Sequence, residues 1–304
     1  TQVRIRSDSS DSIVLEGKTF VNDNATFFLD AGAVFLRDTF AGSGIFVKSG
    51  SNQILFDNNV ANVDWSGKMD IQGGMIRVNQ TNATLGSAGS SIVVHSFGGL
   101  SVHNLSNLGT GNGITELRTA NTMSLAILGI GAAGGYNAVS AHYNGLTAIG
   151  TGNGVLALDN AQTFTVDPAM ASFQNGRWFL GSHSSGTLNA NSVAAWGVGG
   201  DQFLLGGGSS TLTLNPLTAN SSQFSGANQM IIGSMNNING YGTVTIGSNG
   251  NNTYSGGTLV TRSRNIDGTY RGTVLSLQGG AVSTVLRTSL GTGVVDVLGE
   301  VRIE

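Results

Sequence analysis

Residues 178–188 read WFLGSHSSGTL, and two later stretches repeat their order of an apolar run, a Gly/Ser turn and a threonine-containing run. They are FLLGGGSSTL at 203–212 and MIIGSMNNINGYGTV at 230–244. Their marker glycines Gly181, Gly206 and Gly233 lie 25 and 27 residues apart, inside the roughly 20–50-residue period of solenoid repeats. Each copy contains segments of strand length without helical periodicity. We therefore predict that each copy is one turn of a stacked structure.

Short apolar segments separated by turn-forming residues continue toward the N-terminus, in a rhythm typical of all-β proteins. An antiparallel sandwich would give the same rhythm, but the long repeat favours a parallel β-helix. The best helical candidate, residues 190–196, lacks a stop signal and precedes several glycines. The sequence predicts an all-β, right-handed parallel β-helix (β-solenoid). We expect it to be continuous over residues 1–304, with irregular turns in 1–177 and repeat-like turns in 178–304.

The composition excludes several classes of protein. Only 10% of residues are charged and 47 of 304 are glycine, yet 39% are hydrophobic, which is enough apolar surface to oppose disorder. The net charge of −3 and the scattered basic residues argue against a nucleic acid partner, which would require a basic stripe. The chain has no cysteine for disulfides or thiolate metal sites. Its longest apolar stretch, 123–130, is too short for a transmembrane helix, so we expect no direct membrane span.

Residues 250–260 read GNNTYSGGTLV and are followed by GTVLSL at 272–277 and SLGTGVVDV at 289–297. Over residues 245–297 this pattern resembles the autotransporter-associated β-strand repeat, most specifically in its NTYSGGT core. The resemblance implies one turn of a parallel β-helix in the passenger-type region of a very large bacterial surface protein. It also implies an extracellular or bacterial cell-surface location, and it implies no chemistry.

One glycine motif mimics a dinucleotide-binding turn. Residues 129–134 read GIGAAG after the apolar run 123–128, but binding of a pyrophosphate requires a helix to begin at the end of the motif and an acid about 20 residues later. Residues 135–138 show no helical face, and the next acid is Asp159. We interpret the motif as a chance match and predict no cofactor.

Metal sites are not indicated by the sequence. The histidines His95, His103, His142 and His183 are isolated, whereas zinc requires three or four convergent ligands. Residues 247–252, GSNGNN, place asparagine where calcium-binding nonapeptide repeats have aspartate. We therefore predict no metal.

A glycan-cleaving site would require carboxylates gathered from successive turns. Asp57, Asp64 and Asp70 come nearest to such a cluster, with Trp65 beside them as a candidate sugar platform. Acids of this kind are more often turn formers, as the run DNN at 57–59 suggests. We predict no catalytic residues and no enzymatic activity.

These observations lead to a non-enzymatic extracellular structural or adhesive protein of a bacterial cell surface, forming a stiff rod or part of a filament. The alternative is a β-helical polysaccharide-binding hydrolase or lyase. The strand-like residues 3–6 and 301–303 lack polar caps, and exposed strand edges pair readily. We expect self-association or continuation of a longer chain along the solenoid axis, and partners such as glycans or other cell-surface components.

Overall fold

Strand pairing between successive turns organises the computed structural model of this chain. The structure describes residues 2–6, 13–22, 25–30, 34–56, 65–109, 114–119, 125–146, 148–150, 152–197, 199–218, 221–234, 240–247, 251–264, 269–277 and 290–303. It divides into two units, the first formed by Thr1–Asn121 and Ala126–Thr151, the second by Thr122–Leu125 and Gly152–Glu304.

Two parallel sheets run along the first unit. Its strands are β1 Gln2–Arg6, β2 Ile13–Leu15, β3 Thr19–Val21, β4 Thr26–Asp30, β5 Val34–Leu36, β6 Phe40–Gly42, β7 Ile45–Lys48, β8 Gln53–Phe56, β9 Lys68–Ile71, β10 Gly74–Val78, β11 Ser91–His95, β12 Gly98–Val102, β13 Ile114–Thr119, β14 Ala126–Ile130 and β15 Ala148–Gly150. One sheet has the order β1-β4-β7-β9-β11-β13-β15, and a second contains β2-β5-β8-β10-β12-β14. Strands β3 and β6 form a short third pair. The chain thus alternates between sheets and returns to each one turn later.

The second unit repeats this arrangement of two parallel sheets. Its strands are β16 Gly154–Leu158, β17 Gln162–Phe164, β18 Phe179–Gly181, β19 Gly186–Asn189, β20 Gln202–Leu205, β21 Thr211–Asn215, β22 Gln229–Ile232, β23 Thr243–Ile246, β24 Thr258–Val260, β25 Arg262–Arg264, β26 Tyr270–Gly272, β27 Val274–Leu277, β28 Val295–Val297 and β29 Glu300–Ile303. The sheets have the orders β16-β18-β20-β22-β24-β28 and β17-β19-β21-β23-β27-β29. Strands β25 and β26 form a separate antiparallel pair.

The register confirms the repeat that the marker glycines predict. Leu180 pairs with Leu205, and Leu205 pairs with Ile232, so the glycine after each occupies the same place in successive turns. Gly206 and Gly233 have φ angles of +95° and +79°, a region that favours glycine. Gly181 ends β18 outside that region. The prediction of a parallel β-solenoid is confirmed.

Buried polar side chains tie neighbouring turns together. Asp159 is fully buried and its Oδ1 accepts hydrogen bonds from the backbone N–H of His183 (2.7 Å) and Ser184 (3.1 Å). Asn252 is buried, and its Oδ1 accepts from the N–H of Gln223 (3.1 Å) and Phe224 (3.0 Å). Each contact satisfies donors in the adjacent turn, about one repeat away in sequence, which buried backbone groups require.

One helix departs from the all-strand expectation. Helix α1, Tyr136–Asn144, begins two residues after the GIGAAG motif, and the 3₁₀ turn Ala133–Gly135 precedes it. Two further 3₁₀ turns cover Leu105–Leu108 and Phe173–Gly176. Residues 190–196, which the sequence disfavours as a helix, are not helical; they are irregular and end in a bridge between Trp196 and Gln202. No helix in the described ranges is both long and apolar enough to cross a bilayer.

Candidate functional site

Strands β9, β11 and β13 of the first unit bring together a group of charged and polar side chains on one sheet face. We call this group the polar cluster; it consists of Lys68, Asp70, Gln72, His95, Glu116 and Arg118. Alternation along β9 turns Met69 and Ile71 into the core and leaves Lys68 and Asp70 on the outer face. The parallel pairing of β9 with β11 and of β11 with β13 then brings the polar residues of three turns side by side.

Asp70 is the centre of the polar cluster. His95 Nε2 donates to its Oδ1 at 2.8 Å, Gln72 Nε2 donates to its Oδ2 at 2.8 Å, and Lys68 Nζ lies 3.6 Å from Oδ1. Partial burial alone would raise the pKa of Asp70, but the hydrogen bonds from His95 and Gln72 and the positive charges of Lys68 and His95 together lower it to about 2. The carboxylate is therefore ionised at neutral pH and holds His95 in place.

Glu116 and Arg118 form the second pair of the polar cluster. Arg118 Nε and Nη2 donate to Glu116 Oε1 and Oε2 at 2.8 Å and 2.9 Å, a bidentate contact. This contact lowers the pKa of Glu116 and raises that of Arg118. The pairing of β11 with β13 shifts register between Ile92 and Val93, so that Val93 lies opposite Glu116. This register shift determines the positions of Glu116 and Arg118 on the sheet.

The arrangement has a definite chemical capacity. The bond to Asp70 assigns a proton to Nε2 of His95, which leaves Nδ1 as the acceptor in the neutral ring. Among the described residues nothing hydrogen-bonds to this Nδ1. The Asp70–His95 pair can therefore accept a proton from a hydroxyl group or water.

The structure describes only part of the carboxylate group that the sequence offers as a glycan-cleaving site. Asp57 and Asp64 lie outside the described residues. Asp70 belongs to the polar cluster and is not a turn former. The sugar-platform interpretation of Trp65 is wrong, because its side chain is fully buried and its ring centroid lies 4.7 Å from that of Phe40. A large apolar ring gains more by filling the core than by facing water.

The four histidines also differ from one another. His95 is not isolated, since it pairs with Asp70 across 25 residues of sequence. His183 Nδ1 donates to the carbonyl oxygen of Gly208 at 2.9 Å. Burial lowers the pKa of His103 and of His142. In the described parts of the chain, no three His, Asp or Glu residues are placed to hold a metal ion.

The glycine motif at 129–134 has a structural use. The expectation that no helix follows it is wrong: Tyr136, Val139 and Tyr143 form the buried face of α1, and the Tyr143 hydroxyl donates to the carbonyl oxygen of Gly129 at 3.1 Å. The spacing of these three residues, three and four apart, is the signal that identifies the helix. Gly135 supplies no side-chain cap, and Asp159 is committed to backbone N–H groups of its neighbouring turn.

The residues of the NTYSGGT core are buried where they contact the next turn. Tyr254 is fully buried, and its hydroxyl lies within hydrogen-bond distance of Thr258 Oγ1. Burial raises the pKa of Tyr254 well above its usual range. Together with Asn252, these side chains have packing and hydrogen-bonding roles, which explains the motif in physical terms without identifying a family.

Comparisons with known proteins give no match: no family model, no curated protein and no solved structure is similar to this chain.

Proposed function

We propose that this chain is a non-enzymatic structural or adhesive segment of a bacterial surface protein, similar to autotransporter-associated repeat regions. The observation that carries this proposal is that side chains at recurring positions serve contacts between turns. In the second unit, Phe203 lies with its ring centroid 4.9 Å from Phe224 and 6.2 Å from Tyr254. Asp159 and Asn252 are committed to backbone donors of adjacent turns. A stack built this way supports length and rigidity.

The location follows from the same proposal. Repeat regions of this type act outside the cell, so an antibody against the chain should label intact cells of the source bacterium. Labelling that appears only after the cells are lysed would contradict an extracellular role. An antibody against a cytoplasmic protein, applied to the same cells, controls for leakage.

A second candidate function is supported by the polar cluster. A β-helical polysaccharide hydrolase or lyase requires a proton acceptor on an exposed sheet face, and the Asp70–His95 pair has that chemistry. The non-enzymatic proposal is favoured because Trp65, the candidate sugar platform, is buried.

One experiment separates the two candidates. The purified chain is incubated with a panel of neutral and acidic polysaccharides, and both new reducing ends and unsaturated products are measured. We expect the wild type and the variants Asp70→Asn and His95→Gln all to release products only at the background level. Turnover by the wild type that either substitution abolishes would establish the enzyme instead. Circular dichroism of each variant verifies that it folds.

A further inference from the structure

The antiparallel ribbon formed by β25 and β26 interrupts the parallel turns of the second unit. It is inserted between β24 and β27, and two buried threonines flank it. Thr261 donates through its backbone N–H and its Oγ1 to the carbonyl oxygen of Ile232 at 2.9 Å and 3.0 Å. Thr273 donates through its N–H to the carbonyl oxygen of Thr261 at 3.3 Å. The base of the ribbon is therefore fixed to the solenoid turns.

One side chain fastens the ribbon itself. Ser263 is fully buried, and its Oγ donates to the carbonyl oxygen of Ser234 at 2.9 Å. By contrast, Arg262 and Arg271 are exposed, and 51% of the surface of Tyr270 is accessible to solvent. The ribbon thus presents cationic and aromatic groups to solvent from a fixed backbone.

The two arginines are held over aromatic rings. The guanidinium carbon of Arg262 lies 4.3 Å from the ring centroid of Tyr270, and that of Arg271 lies 5.1 Å from the centroid of Tyr241. Contacts of this kind orient a guanidinium and leave the N–H groups at its edge available. Because these side chains are already ordered, less conformational entropy is lost when a ligand binds.

These arginines differ from four other cations of the described residues in their charge partners. Arg37, Lys68, Arg118 and Arg302 each lie within ion-pair distance of a carboxylate. Within the described residues, Arg262 and Arg271 have no carboxylate at that distance. Their charge is available to an external anion, in a chain whose net charge is −3.

We propose that the ribbon binds an anionic polysaccharide whose carboxylates recur along the polymer. Strand alternation places Arg262 and Arg271 on opposite faces of the ribbon. A polymer can contact both arginines because it is flexible. A guanidinium binds a carboxylate through two parallel hydrogen bonds, and the exposed ring of Tyr270 can pack against the apolar face of a sugar. Nucleic acid is disfavoured because the basic groups form no stripe. The assignment rests on the adhesive role proposed above and names its ligand class.

Binding of the full chain to polygalacturonate, with neutral dextran of similar size as the comparison, tests this assignment. We expect binding to polygalacturonate alone and weaker binding as salt rises. Arg262→Gln and Arg271→Gln should each weaken it about fivefold, and the double variant should weaken it more than either. Tyr270→Phe, which keeps the ring, should bind as the wild type does.

Arg177→Gln is the matched control, because it removes the same charge from an exposed arginine of the second unit that is not held over a ring. If Arg177→Gln and Arg262→Gln weaken binding to polygalacturonate equally, the effect comes from net charge alone, and the assignment is overturned. Equal binding of wild type to both polymers would overturn it as well. Neither result bears on the non-enzymatic proposal, which the turnover measurement decides separately.

Discussion

Asp70 illustrates what one side chain contributes at the surface of a solenoid. Its two carboxylate oxygens receive hydrogen bonds from residues on its own strand end and on the next turn, Gln72 and His95. The contact with His95 connects residues 25 apart in sequence, so it depends on the register between turns. Asp70 could be selected from the sequence as a candidate, but its partner could not, because residue identity does not reveal register.

Removing the Asp70 charge should change how stability depends on pH. Because the pKa of Asp70 is lowered from 3.8 to about 2 in the folded chain, its contribution is complete above the unfolded pKa and is lost as pH falls toward about 2. We expect Asp70→Asn to lower the free energy of unfolding by about 1–2 kcal/mol at neutral pH. The difference from wild type should shrink between about pH 4 and pH 2. Urea unfolding across this range measures it.

Asp201→Asn provides the control for that measurement, since Asp201 is exposed and its side chain makes no described hydrogen bond. The neutral-pH free energy of this variant should stay within about 0.5 kcal/mol of wild type. A difference between Asp70→Asn and wild type that is constant from neutral to acid pH would contradict the role assigned to the carboxylate.

At the scale of elements, the regular turns were predictable and the exceptions were not. Gly206 and Gly233 mark turns that can be recognised from the local sequence pattern alone. Helix α1 has nine residues, so the spacing of Tyr136, Val139 and Tyr143 is a short signal that flanking glycines obscure. The identity of Trp65 does not reveal that its ring is buried, because a tryptophan suits both a core and a sugar platform. The sequence does not predict the ribbon β25–β26, because its three-residue strands have the length and composition of an ordinary turn.

The turn after β22 should tolerate no side chain at Gly233. Its φ angle is +79°, and an added Cβ would lie 2.3 Å from Thr273 Oγ1 and 2.9 Å from Thr261 Oγ1. We expect Gly233→Ala to lower the free energy of unfolding by about 2–4 kcal/mol, from backbone strain and overpacking together. Gly272→Ala, where an added Cβ meets nothing within 4 Å, should stay within about 0.5 kcal/mol of wild type. Comparable losses in the two variants would refute this explanation.

At the scale of the whole molecule, the outer strands of the second unit bear on the expectation that the chain associates with itself. Among the described strands, β28 pairs only with β24 and β29 only with β27. Val295 and Val297 of β28 are 40% and 44% exposed. An edge that combines unpaired backbone groups with apolar side chains favours strand addition, and a head-to-tail contact of this kind extends without closing.

We therefore expect a second copy of the chain to pair at β28 and β29, so that the weight-average mass in light scattering rises with concentration. The double substitution Val295→Lys and Val297→Lys should keep the chain monomeric, because charges on an edge strand oppose addition. Ile45→Lys is the matched control: Ile45 is 40% exposed, but its strand β7 is already paired on both sides, with β4 and β9. It should associate as the wild type does. A wild-type mass that stays at one chain over the whole concentration range would exclude this mode of assembly, and equal suppression by Ile45→Lys would show that added charge, not the open edge, controls it.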